Sequence, residues 1–202
     1  MRIIGITGGV GAGKSEVLDY LARAYDATVV QADEVGHMLM LPGHKVYDQI
    51  LEQFSTVVLK DKSEELDRRV LADLVYTDPR LKKKLEEIVH PAVKAYIRQD
   101  IEKEREAQTE IYVIEAALLL EDHYEEICDE VWYIYTEKSI RVQRLKEARG
   151  YTEERCEEIM KNQNPDELFF QKCDRVIDNS GSLEETKRQI KEILEKMEIQ
   201  SR

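Results

Sequence analysis

Five short apolar runs punctuate an otherwise polar, helix-patterned chain: IIGIT (3–7), ATVVQA (27–32), EIYVIEA (110–116), EVWYIYT (130–136) and DRVIDN (174–179). Their apolar positions are consecutive rather than alternating, the pattern of strands covered on both faces. Between them the apolar residues recur at helical spacing. Val17, Leu18, Leu21, Ala22 and Tyr25 make one stripe, and Leu183, Ile190, Ile193, Leu194 and Met197 make another near the end. Strands alternating with helices predict a three-layer α/β fold, with a mostly parallel five-stranded sheet flanked by helices.

One insertion interrupts the alternation. Residues 34–109 are charged and helical in pattern, with breaks expected near LPGH (41–44), DKSEE (61–65), TDP (77–79) and HP (90–91). A proline disfavours helix in the residue before it, so His90 is expected to end a helix or start a turn. A second helical stretch, 137–172, is rich in Arg, Lys and Glu and poor in large apolar residues, a composition that suits a mobile flap. The expected organisation is one domain. Its core comprises about 1–33, 110–136 and 174–202, with a helical lobe at about 34–109 and a lid region at about 137–172.

Composition narrows the class. The chain has 202 residues, 42% hydrophobic and 36% charged, which is globular rather than disordered. Its longest apolar run, AALLL (116–120), is far too short to cross a bilayer. The opening MRIIGITGG has no apolar signal core, and the three scattered cysteines, Cys128, Cys156 and Cys173, read as reduced thiols. The expected location is therefore the cytoplasm. A net charge of −12 argues against a nucleic-acid surface, which would show a basic face. The six acids of EDHYEEICDE (121–130) read as a solvated face.

One stretch changes the picture. TGGVGAGKS (7–15) fits G-x4-G-K-[ST] from Gly8 to Ser15, after an apolar run and before an amphipathic helix, where a phosphate-binding loop must lie. Glycines at 8, 9, 11 and 13 let backbone N–H groups approach phosphate oxygens, and the following helix adds its own N–H groups and partial positive charge. Lys14 is placed to reach the β- and γ-phosphates, and the Ser15 hydroxyl to join a Mg²⁺ shell. The implied ligands are ATP and Mg²⁺.

The phosphate acceptor must be read from elsewhere. Asp33 follows the second strand, where open parallel sheets bind ligands. It is either the base that accepts a proton from an attacking hydroxyl or the N-cap of the next helix. Glu115 ends IYVIE and could orient Mg²⁺ through water; Glu121 could do likewise or belong to the acidic face. Arg141 and Arg144 share a helix face, with Arg149 beyond them, either as a phosphate-meeting lid or as a solvated helix. No His, Cys or carboxylate spacing supports a zinc site.

These residues, in this order, resemble the dephospho-CoA kinase family. The likeness runs from about Ile3 to Ser182 and rests on TGGVGAGKS, AD (32–33), LDRRVLADLVY (66–76), HP (90–91), LLLE (118–121), Arg144, Gln163 and DRVIDNSGS (174–182). It implies a P-loop kinase core, a helical substrate lobe and a lid. It also implies transfer of the ATP γ-phosphoryl to the ribose 3′-hydroxyl of dephospho-CoA, the last step of coenzyme A biosynthesis. Lys14, Asp33 and Arg144 would be catalytic. Gly8, Gly9, Gly11, Ala12, Gly13, Lys14, Ser15 and Glu16, with Arg141, Arg149 and Asn179, would hold ATP. Asp33, Arg68, His90 and Glu121 would face the substrate, and Ser15 the metal.

The chain departs from the family pattern in several places. Glu16 stands where Thr is usual, Gln31 where an acid is frequent, and Ala117 where Pro precedes the leucines. The second lid arginine falls on Ala148, with Arg149 one place later, and no Arg follows Gln163 in NPDELFF. A P-loop kinase of another nucleoside or nucleotide, and a nucleotide-binding regulatory homologue, are the alternatives.

Overall fold

The structure is a computed structural model that describes residues 1–60 and 63–200. In chain order the elements are β1 (Arg2–Thr7), α1 (Lys14–Tyr25), β2 (Thr28–Gln31), α2 (Ala32–Leu39), α3 (Lys45–Phe54), α4 (Arg68–Thr77) and α5 (Pro79–Glu106). Then come β3 (Ile111–Glu115), β4 (Glu130–Tyr135), α6 (Lys138–Arg149), α7 (Glu153–Lys161), α8 (Asp166–Lys172), β5 (Arg175–Asp178) and α9 (Leu183–Gln200). Each expected apolar run contains a strand. Asp61 and Lys62 of the break expected at 61–65, and Ser201 and Arg202 of the expected core, lie outside the described residues.

The chain forms two compact units, residues 1–29 with 108–202, and residues 30–107. The sheet runs β2-β3-β1-β4-β5. Strand β1 pairs in parallel with β3 and β4, and β4 with β5. Ile4, Ile6, Val113, Trp132, Ile134 and Ile177 supply one buried face, covered by Val17, Leu18 and Leu21 of α1 and by Ile190, Leu194 and Met197 of α9. On the other face Tyr133 stacks on Phe169 of α8, ring centroids 4.7 Å apart. Burial on both faces is why β1, β3 and β4 read as unbroken apolar runs, while the edge strands β2 and β5 are only partly buried and Val176 is exposed. One residue of the last expected stripe departs: Leu183 is exposed, because it is the first residue of α9 and precedes the turns that reach the sheet.

Two aspartates set the register of the strands by one repeated device. Asp129 accepts from the Ile3 N–H at 2.7 Å while its own N–H donates to the Ile3 carbonyl at 2.8 Å. Asp174 does the same with Val131, at 2.8 Å in both directions. Each closes a donor that a strand start would otherwise leave open.

In the second unit, Val46, Tyr47, Ile50, Phe54, Val58, Leu66 and Leu71 form a core of their own. The break expected at His90–Pro91 is not there: α5 runs unbroken from Pro79 to Glu106 with Pro91 inside it. A proline in a helix interior costs about 3 kcal/mol. The apolar face of α5 outweighs that penalty. Leu81, Leu85, Ile88, Val89 and Ala92 pack on the core, and Val93, Ile97 and Ile101 are buried beyond the proline. The break at TDP stands, since Asp78 caps α5 by accepting from the Arg80 N–H at 2.9 Å.

Candidate active site

The glycine-rich loop leaves the end of β1, between β3 and β4 in the sheet, and enters α1. Gly13 is the N-cap of α1, with φ 82° in the left-handed region, and no side chain caps the helix. A Cβ at Gly13 would collide with the side-chain nitrogen of Asn179. Only glycine tolerates both the angle and the approach. The start of α1 is thus an uncapped set of N–H groups carrying the positive end of the helix dipole.

Lys14, the first residue of α1, turns back over the loop. Its Nζ donates to the Gly8 carbonyl at 2.8 Å and lies 3.5 Å from Glu115 Oε1. Glu115 is buried at the end of β3. Ser15 and Glu16 are exposed in the first turn of α1. This donor set fits a nucleotide phosphate: a bare helix start, one ammonium and a hydroxyl. It also fits Mg²⁺, which keeps several waters and takes few protein ligands, here the Ser15 hydroxyl, with Glu115 beside the neighbouring Lys14. Among the described residues no group of three or more His, Cys, Asp or Glu could hold a metal by itself.

The loop is anchored from behind. Thr136 Oγ1 donates to the Ala12 carbonyl at 3.0 Å, Asn179 Nδ2 donates to it at 2.8 Å, and Arg144 Nη1 approaches it at 3.4 Å. Arg144 Nη2 also donates to the Asn179 carbonyl at 2.9 Å. At the other end of the loop, the buried Arg141 donates from Nε to the Val10 carbonyl at 2.9 Å and from Nη2 to Gln163 Oε1 at 2.8 Å. Gln163 Oε1 in turn accepts from the Val10 N–H at 3.1 Å. Asp166 lies 3.8 Å from Arg141 and accepts from the Tyr133 hydroxyl at 2.6 Å. Burial, and then the bond to Asp166, push the Tyr133 phenol well above its usual range. Beside Gly9, a groove of about 640 Å³ runs along Lys138, Arg141, Met160, Gln163 and Phe169.

The stretch expected as a flap therefore forms three helices. It buries Arg141, Leu145, Cys156 and Phe169 and reaches the loop through Arg141, Arg144 and Gln163. Arg149 stands apart, exposed as the last residue of α6, its guanidinium 5.9 Å from the Tyr151 ring centre. Gly150 closes α6 in the left-handed conformation, φ 64°. Glu121 accepts from the Asn164 side-chain amide.

The second unit carries the remaining sequence candidates. The capping alternative for Asp33 is overturned: α2 begins at Ala32, its N-cap is Gln31, and Asp33 is exposed inside the first turn. Arg68 opens α4, whose cap is Asp67, accepting from the Arg69 and Val70 N–H groups at 2.9 and 3.3 Å. Arg68 lines a cavity of about 360 Å³ with Met40, Leu41, Lys60, Leu66 and Arg69. His90 is half-buried in mid α5.

Sequence reasoning missed Thr136, Asp166 and Thr186. The position of Thr136 at the end of an apolar strand was a usable signal. Nothing marked Thr186, which reads as a polar residue of a surface helix.

The family model described as dephospho-CoA kinase matches residues 2–185. The chain belongs to the dephospho-CoA kinase family. Curated family members include one from Symbiobacterium thermophilum, 36% identical over 190 residues covering 94% of this chain and 79% of that protein. Another, from Aquifex aeolicus, is 36% identical over 199 residues and covers 98% of each. A crystal structure from Thermus thermophilus superposes with a TM-score of 0.79 at 28% identity, covering 96% of this chain and 97% of that one. Dephospho-CoA kinase from Campylobacter jejuni superposes at 0.73 with 22% identity over the whole of both chains. A shikimate kinase from Bacteroides thetaiotaomicron, at 0.56 and 12% identity, shares the fold. Among the described residues, no helix is long and apolar enough to cross a membrane.

Proposed function

We propose that this chain transfers the γ-phosphoryl group of ATP to the ribose 3′-hydroxyl of dephospho-CoA, giving CoA and ADP. The observation that carries the reading is the uncapped start of α1 at Gly13, with Lys14 folded back over the loop. The family membership supplies the acceptor.

In this reading the loop amides and Lys14 hold the triphosphate. Ser15 would hold Mg²⁺, with Glu115 orienting it through water, and the ion would supply positive charge against that of the phosphates. Asp33 accepts the proton of the 3′-hydroxyl as that oxygen bonds to the γ-phosphorus. The bond to the bridging oxygen breaks, and its electron pair leaves with ADP. Arg144, beside Gly13 and half-buried, neutralises charge on the transferred group. Arg141 and Asn179 hold the loop from behind, Arg141 at Val10 and Asn179 at Ala12. Arg149, exposed at the end of α6 and set against Tyr151, has the lesser part in nucleotide binding. Arg68, His90 and Glu121 face the acceptor.

The test is ADP release from purified protein with MgATP, comparing dephospho-CoA with a panel of nucleosides and nucleotides. Turnover specific to dephospho-CoA supports the reading. Turnover only with another acceptor, or binding of both ligands with no turnover, overturns it.

A further inference from the structure

Thr186, on α9, hydrogen-bonds to Asn179, which in turn holds the loop. Its Oγ1 lies 2.7 Å from Asn179 Oδ1, and both residues are fully buried. The same hydroxyl is 3.3 Å from the Ser182 carbonyl, the longer and weaker alternative for its single proton. The neighbours fix the orientation of the Asn179 amide. Nδ2 sits 2.8 Å from the Ala12 carbonyl, a pure acceptor, so the flipped amide would set oxygen against oxygen. Oδ1 therefore faces Thr186, which must donate.

The consequence reaches the phosphate cradle. A trans peptide sends its C=O and the following N–H to opposite sides. Holding the Ala12 carbonyl inward, between Asn179 and Thr136, aims the Gly13 N–H outward, at the mouth of the loop. Donors aimed in advance need no reorganisation when the anion arrives.

We infer that Thr186 is a positioning residue for nucleotide binding, acting through the Asn179 amide on the Ala12–Gly13 peptide. The inference rests on the nucleotide-binding reading of the loop and is independent of the acceptor. Removing the hydroxyl leaves Asn179 Oδ1 buried without a donor, and frees the amide to turn away from Ala12.

The experiment measures MgADP affinity by calorimetry, with melting temperature alongside, for the full-length wild type, Thr186→Val, Thr186→Ser and Ile190→Val. Ile190 is buried on the same helix, in the core cluster that also holds Ala12, and Ile→Val there lowers stability by packing without removing a hydrogen-bonding group. Thr186→Val is expected to weaken MgADP by about tenfold, the size of one lost buried hydrogen bond. Thr186→Ser is expected to stay within about twofold of wild type, since it keeps the donor. Ile190→Val is expected to lower the melting temperature with affinity unchanged. If Thr186→Val does not fold, Thr186→Ala carries the same comparison. The inference is overturned if loss of the hydroxyl leaves affinity at the wild-type value, if Thr186→Ser loses as much as Thr186→Val, or if Ile190→Val weakens MgADP equally. Binding without dephospho-CoA turnover in the wild type would defeat the proposed reaction and leave this test standing.

Discussion

The ammonium of Lys14 lies 3.5 Å from the carboxylate of Glu115, across the end of the sheet from β1 to β3. Both side chains are largely shielded, at 17% and 9% exposure, so the pair is not a loose surface contact. On the proposed reading, an arriving phosphate competes with Glu115 for Lys14. Glu115→Gln is expected to raise the Mg²⁺ concentration needed for half-maximal rate with little change in melting temperature. A Mg²⁺ titration of ADP release checks it, and an unchanged titration would remove Glu115 from the metal's surroundings.

Lys14→Ala is expected to lower turnover by at least ~10²-fold, the usual loss for one donor aimed at developing charge. The folded state should persist, because Lys14 lies at the loop and not in the core formed by Val17, Leu18 and Leu21. Near-normal ADP release by a folded Lys14→Ala protein would sink the phosphate-cradle assignment.

Asp33→Asn tests the base. A general base contributes ~10²–10⁴-fold. Since Asp33 is exposed and Gln31 holds the cap position, the substitution is expected to leave the melting temperature nearly unchanged. Steady-state rates with dephospho-CoA, beside MgATP affinity, read the difference. Equal turnover in the two proteins would show that another group takes the proton.

The arginines of α6 should separate by role. Arg144→Ala is expected to lower turnover by ~10³-fold, the lower end for a guanidinium that meets a transferred phosphoryl. Arg149→Ala should weaken turnover far less, since Arg149 is exposed and packs on Tyr151. Arg141→Ala should act differently again: it frees Val10 and Gln163, so melting temperature and MgATP affinity should fall together. Equal effects of Arg144→Ala and Arg149→Ala on turnover would refute this division.

The cysteines predict an alkaline limit. Burial, with the carboxylates of Asp129, Glu125 and Asp174 adding to it, pushes Cys128 from 9.0 up to about 12, and burial then Asp174 do the same for Cys173. The folded state keeps these protons while the unfolded chain loses them, so stability is full below about 9 and is lost as pH rises toward about 12. Thermal melts from pH 8 to 11 should show the decline, and Cys128→Ala with Cys173→Ala should flatten it. An equally steep decline in the double variant would assign it to other groups. Alkylation of the two thiols in the native protein at pH 8 should be slow for the same reason.

Local chemistry wrote much of this protein into its sequence. Spacing alone located the strands, most clearly β1, β3 and β4, because residues covered on both faces must be apolar without alternation. The run from Gly8 to Ser15 located the phosphate loop, because only glycine adopts φ 82° at Gly13 and only a long cation reaches back to Gly8. Tertiary structure decided what no spacing reports. Pro91 sits inside a helix because the apolar face of α5 is buried on both sides of it, and packing outweighs a lost backbone bond. Asp33 lost its capping role to a helix boundary two residues earlier than its type suggests, with Gln31 at the cap and Ala32 the first helical residue. The loop's anchors, Thr136 and Asn179, reach Ala12 across 124 and 167 positions of sequence, and Thr186 reaches it through Asn179. Such bonds follow no period along the chain. They exist because parallel strands bring their carboxyl ends to one edge of the sheet, where residues distant in sequence meet around a single carbonyl oxygen.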